Sequence, residues 1–220
     1  MNKVIENQKN IFWEALIVAV FIFGCGILLG IFVENNRASD VSDMYLRSEI
    51  DLTDVKVQTE ILNLDDLNCE NAIQKNIEFG DRIYEEAKQL DKYEEASDLT
   101  NSLLEQHRRY NILRTLFWLN SIKIKEKCSE EFHTIVYAYD YNPESEEQKS
   151  KQVVFSRFLG DLKQEKGNKI LLIPISRSFN LTSVDLLLSN YHINETSIIV
   201  DEDLIVDKIE DLGKINDLLA

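Results

Sequence analysis

Glycine and proline are scarce in this chain of 220 residues, at seven and two. That scarcity argues against long irregular loops and points to a helix-rich fold. Cysteine occurs three times, with no Cys-x-x-Cys pair, so there is neither a zinc-ligand pattern nor a local redox motif. The three histidines, His107, His133 and His192, are far apart in sequence and read as surface or half-buried residues. Positive charge is in the minority, with 24 Lys and Arg against 39 Asp and Glu and a net charge of −15. Such a surface repels phosphate backbones, which argues against nucleic acid as a partner. It also disfavours a flat seat on anionic lipid. No residue pattern nominates a general acid, base, nucleophile or cofactor site.

What the chain does have is a long apolar run. Residues 15–33, from Ala15 to Val33, carry no charge. Nineteen residues at helical rise span about 28 Å, close to the hydrocarbon core of a bilayer. A signal peptide is the rival reading. Its apolar core would be shorter, roughly 7–15 residues, and would end in a small-x-small site. Ile31-Phe32-Val33-Glu34-Asn35-Asn36 lacks that site, so the sequence favours a retained single-pass anchor in contact with lipid. Trp13 suits the interface. The short tail 1–14, with Lys3 and Lys9, favours an inside N-terminus and a domain outside the cytoplasm at the cell membrane. Gly26-x-x-x-Gly30 offers a close-packing surface for a homodimer, although glycine is common in such helices and that ordinary reading is preferred.

After a polar linker at 34–42, residues 43–127 read as a helical region of three helices or a hairpin. The first helix, near 43–62, carries Leu46, Ile50, Val55, Ile61 and Leu62. The second, near 67–90, is capped at Asp66 and carries Ile73, Ile77, Gly80, Tyr84 and Ala87. Leu90-Asp91-Lys92 reads as a turn. The third, 93–127, carries Leu99, Leu103, Tyr110, Leu113, Phe117 and Ile124, and Lys123, Lys125 and Lys127 suit its C-terminal dipole. Tyr110, Phe117 and Trp118 read as packing between this region and the rest.

From residue 130 to 220 the pattern becomes α/β. Residues 133–140 read as a strand and 144–166 as a helix with Val153, Val154, Phe155, Phe158, Leu159 and Leu162 on its apolar face, capped by Gly167. A strand follows at 169–175, placed at a sheet edge because Pro174 cannot donate to a ladder. Then come a helix at 181–190, strands at 196–200 and 204–206, and a closing helix at 208–219. The order β-α-β-α-β-β-α implies a three-layer α/β unit.

This order resembles the thioredoxin-like fold, over about 40% of the chain. Ile135-Val136-Tyr137-Ala138-Tyr139 is similar to the first core strand, and Tyr191 to Val200 is similar to the segment closing on the cis-proline strand. The resemblance implies a Cys-x-x-Cys motif at the start of the following helix. Here that loop is Tyr141-Asn142-Pro143-Glu144-Ser145-Glu146-Glu147, and Ser197 stands in place of the cis-proline. The resemblance therefore implies a redox-inactive copy that keeps a groove and an edge strand for an extended peptide. The binding residues it suggests are Asn142, Pro143, Glu144, Ser197, Ile173 and Ile175.

The cysteines admit more than one reading. Cys25 lies in the apolar run. With a helical hairpin turning near 91, Cys69 faces residue 113, and Cys128 lies about 22 Å beyond it. Two separate buried thiols are the preferred reading. A Cys69–Cys128 disulfide is the alternative, favoured for a domain outside the cytoplasm. The acidic runs, Asp201-Glu202-Asp203 among them, read as solvated faces, and that triplet as at most a weak cation holder. Asn180-Leu181-Thr182 and Asn194-Glu195-Thr196 fit the glycosylation acceptor pattern. The function these features favour is a membrane-anchored, non-catalytic module that binds another protein or an extended peptide. The alternatives are a thiol–disulfide oxidoreductase, or its partner, using Cys69 and Cys128, and a scaffold self-associating through its long helix.

Overall fold

In the computed structural model, the described backbone covers residues 2–64, 66–95, 101–128 and 132–219; the side chains of 2–11, 34–45, 89–95 and 101–102 are not described. Residues 1–47 and 48–220 form two compact units.

Helix α1 runs Asn2–Ile61, so the stretch read as a polar linker at 34–42 is helical. Within it, Phe12–Val33 is long and apolar enough to cross a membrane, and its length and composition fit a membrane span or a signal sequence. Its large apolar side chains, such as Phe21 and Phe23, are exposed.

In the second unit, the last turns of α1 bury Ser48, Asp51 and Val55, and Leu62 just after the helix is buried too, while Ile50 and Ile61 stay exposed, as does Leu46 of the first unit. The inward stripe is thus partly polar, which is why a purely apolar count misplaces it. Helix α2 is Cys69–Glu95 and α3 is Asn101–Lys127. The Asn68 side chain, not Asp66, caps α2 by accepting from the Asn71 N–H at 3.0 Å. Helix α2 continues through the expected turn at 90–92, and Leu99 lies outside the described residues. Helix α3 is central. Tyr110, Leu113, Phe117 and Trp118 are buried, and it packs on α2, α5, β1 and β2.

The remaining elements are β1 (His133–Tyr139), α4 (Glu146–Lys166), β2 (Ile170–Ser176), α5 (Thr182–Asn190), β3 (Ser197–Val200), β4 (Leu204–Val206) and α6 (Gly213–Leu218). The sheet order is β2-β1-β3-β4. Strands β1 and β2 are parallel, while β3 runs antiparallel to both β1 and β4. Helix α4 starts where Ser145 Oγ accepts from the Gln148 N–H and ends at Gly167, φ 57°, a left-handed position that suits glycine. Phe155, Leu159 and Leu162 of α4 join Ile135, Tyr137, Ile170 and Ile198 in a core closed by Leu212, Ile215 and Leu219. The alternate strand residues Val136, Ala138, Ile173, Ile175 and Ile199 are also buried and point to the opposite face. Val153 and Val154, expected in the core, are exposed.

Candidate functional site

The six residues suggested for peptide binding do not converge. Asn142 and Glu144 are exposed and Pro143 is half-buried, at the loop before α4. Ile173 and Ile175 are 1% exposed, and Ser197 is 2% exposed, with its hydroxyl donating to the Glu195 carbonyl. Strand β2 is the sheet edge, as Pro174 implies, and side chains engage part of its outward backbone. The Asn111 side chain donates to the Ser176 carbonyl at 2.8 Å and accepts from the Ser176 N–H at 2.7 Å. Arg114 reaches the Pro174 carbonyl at 3.4 Å, and Lys163 donates to the Ile170 carbonyl at 2.9 Å. These bonds occupy the ladder positions that a peptide strand would need at 174–176.

The open site lies beside that edge. A cleft of about 760 Å³ runs between α4, the tyrosine-bearing face of the sheet, and α2 with α3. It exists because α4 leaves part of this face uncovered: Tyr139, Leu172 and Pro174 are half-buried. Tyr137 and Tyr139 stack at 5.4 Å on its floor. Burial raises the Tyr137 hydroxyl pKa to about 12, and that hydroxyl donates to the Gln152 carbonyl at 3.2 Å. It is a neutral hydrogen-bonding group, not a general base. Tyr84 and Tyr141 stand on the walls.

The cleft's charge opposes that of the chain. Lys88, Arg114, Lys149 and Arg157 line it, and none of the four makes an ion pair with a described carboxylate. Asp140 is the one carboxylate in the lining among the described residues, and Arg177 neutralises it through two bonds of 2.7 and 2.9 Å. At this end His107, Tyr141 and Phe179 pack together, with ring centroids 4.8–6.4 Å apart, and fix the start of the 141–147 loop.

Two further polar clusters hold the helices in place. At the other end of β1, the half-buried Asp201-Glu202 turn grips Lys125, at 2.6 and 3.2 Å. Trp118 Nε1 and the Thr134 hydroxyl both donate to Glu202 at 2.7 Å, and His133 lies 2.6 Å from Asp201. Against the upward push of burial, the bonds from Lys125 and His133 hold the Asp201 carboxyl below its ordinary value. Two of the three residues read as a solvated face, Asp201 and Glu202, therefore hold an internal cation, Lys125, while Asp203 is exposed. Asp201 and Glu202, with φ of 50° and 61°, are the two central residues of the β3–β4 turn closed by the Asp203 N–H donating to the Val200 carbonyl at 3.1 Å, the left-handed pair that a primed hairpin turn requires. Among the helices, Tyr110 donates to Glu86 at 3.0 Å, and Arg82 pairs with Asp51 at 3.0 Å. Burial, then the Asp51 charge, raise the Glu86 pKa.

Cys69 and Cys128 are joined as a disulfide with Cα atoms 5.5 Å apart. The preferred reading of separate thiols fails because the connection between α2 and α3 falls after Glu95 and before Asn101. A hairpin centred there sets residue 69 opposite 127 instead of 113. No signal short of the helix boundaries would have found this. Asn180 and Asn194 are both exposed, while Thr196 of the second triplet is buried. No group of three His, Cys, Asp or Glu side chains that could hold a metal ion occurs among the described residues. Compared with known protein families, curated proteins and solved structures, the chain matches none.

Proposed function

We propose that this protein is a membrane-anchored, non-catalytic interaction module whose 130–220 segment is a thioredoxin-like domain without redox residues. The element order β-α-β-α-β-β-α supports the fold reading. A 141–147 loop without cysteine supports the loss of redox chemistry. The apolar, exposed Phe12–Val33 segment supports the anchor, and a Cys69–Cys128 disulfide supports a compartment outside the cytoplasm. Cys128 is only 6% exposed, which favours a structural clasp over thiol exchange.

The observation that carries the proposal is the cleft. It has the size of a ligand site, with aromatic walls and four cations that pair with no described carboxylate, a lining suited to holding an anionic ligand. The test is purification of the tagged full chain from membranes in mild detergent, with and without Ser156→Trp, which fills the cleft from α4. Specific copurifying proteins lost in the variant are the expected result. An identical set from both forms overturns the reading.

A further inference from the structure

We infer that the cleft is a receptor site for an extended acidic segment of a partner protein, with two carboxylates four residues apart and an apolar or aromatic residue between them. The inference rests on the interaction reading and specifies the chemistry of its ligand.

The argument starts from charge. A chain with a net charge of −15 has carboxylates to spare, and many of its cations elsewhere are paired, as Lys125, Lys151 and Arg177 are. Yet the cleft collects four cations that form no ion pair with a described carboxylate: Lys88 on α2, Arg114 on α3, and Lys149 and Arg157 on α4. Like charges gathered this way repel one another, and an anionic ligand relieves that repulsion.

Spacing narrows the ligand. Lys149 and Arg157 are eight residues apart on one helix face, about 12 Å at helical rise. In an extended chain, residues i and i+4 project to the same side about 13 Å apart, with residue i+2 between them. Between the two cations the α4 wall presents Val153, 57% exposed, facing a floor that includes Tyr139. An apolar or aromatic i+2 side chain fits there.

A second observation is independent of charge. Gly160 lies inside α4, on the cleft wall, and a Cβ built on it meets nothing within 4 Å. Glycine weakens a helix interior, and no neighbour among the described residues requires it here. A bare backbone patch on the wall leaves room for a ligand main chain to lie close. The bonds that occupy the β2 edge at 174–176 favour that main chain lying against α4 over joining the sheet there.

The experiment is fluorescence anisotropy with the full chain in neutral-detergent micelles. The probe is a labelled peptide, Ser-Glu-Ser-Tyr-Ser-Glu-Ser, which is flexible and has Glu at i and i+4. Saturable binding is expected, weakening as salt is raised. Exchanging both Glu for Gln, or moving one to i+3, should weaken it severalfold. Arg157→Glu and Lys88→Glu, on separate helices, should each weaken it about fivefold or more, with far-UV circular dichroism unchanged. If one variant fails to fold, the other carries the test. Equal binding of the Glu and Gln peptides, or binding indifferent to both charge reversals, overturns the inference. Charge-dependent peptide binding with the same copurifying proteins from wild type and Ser156→Trp supports the ligand chemistry inferred here and overturns the capture of those proteins by the cleft. Copurifying proteins lost in Ser156→Trp but no acidic-peptide binding retains that reading and overturns this one.

Discussion

Asn111 gives Ser176 what a neighbouring strand would give it: one donor and one acceptor, at 2.8 and 2.7 Å. Through this single side chain, helix α3 closes the last rung of an open sheet edge. Both residues are 1% exposed, so water cannot replace either bond. Asn111→Ala should therefore destabilise the protein by about 2–4 kcal/mol, the cost of two buried backbone groups left unpaired. Asn111→Asp should do no better, since a carboxylate cannot donate to the Ser176 carbonyl. Thermal unfolding of the full chain in micelles measures both, and a loss under about 0.5 kcal/mol for alanine contradicts the assignment.

Gly80 of α2 lies against α3 so closely that a Cβ would sit 2.7 Å from Phe117 Cζ. Phe117 is 4% exposed and packs on Phe79 at 5.8 Å, so its ring has little room to yield. Gly80→Ala gains about 1 kcal/mol of helix propensity but overpacks this contact at a cost of about 1–3 kcal/mol. The net effect expected is destabilisation, and denaturant midpoints of the two forms decide it. A more stable alanine variant contradicts the close approach.

The Cys69–Cys128 bridge spans 59 residues. The chain-entropy relation gives about 4 kcal/mol for closing a loop of that length. A Cys69→Ser, Cys128→Ser double variant should lose stability on that scale, and thiol counting on the denatured, unreduced native protein should find one free thiol, Cys25. Three thiols would show that the bridge does not form.

Glu86 supplies a pH signature. Burial and then the neighbouring Asp51 charge raise its pKa above the ordinary 4.5, while Tyr110 and Arg82 pull the other way. A raised carboxyl pKa means that the folded state holds the proton more tightly. Its stabilising contribution is then complete below pH 4.5 and is lost as pH rises through the higher folded value. Glu86→Gln, which stays neutral, should gain stability relative to wild type as pH rises from 4.5 toward neutrality. Paired urea titrations across that range test the sign, and a pH-independent difference contradicts it.

Much of the chain is legible in its sequence because local rules govern it. The apolar span, the β-α-β-α-β-β-α order, the Gly167 cap and the edge position of β2 each follow from residue period or from one residue's backbone chemistry. The site is not legible in that way. Val153 reads as core from its spacing, but it is exposed on the cleft wall because α4 covers the sheet only in part. Lys88, Arg114 and Arg157 are distant in sequence and ordinary in kind, and only the packing of α2 and α3 beside β2 gathers them. Asn111 carries no sequence signal for its strand-like role. The disulfide was hidden by one helix boundary, since moving the hairpin centre from 91 to the gap between α2 and α3 shifts the residue opposite Cys69 by about 14 positions.

The central claim is that the cleft beside α4 is where this protein meets a partner. Site-specific photo-crosslinking in intact membranes tests it most directly, with the photoreactive residue at Val153 on the cleft wall or at Leu186 on α5, 57% and 65% exposed. The account predicts a discrete adduct from position 153 that is absent from position 186. The same adducts from both positions, or none from 153, would contradict it.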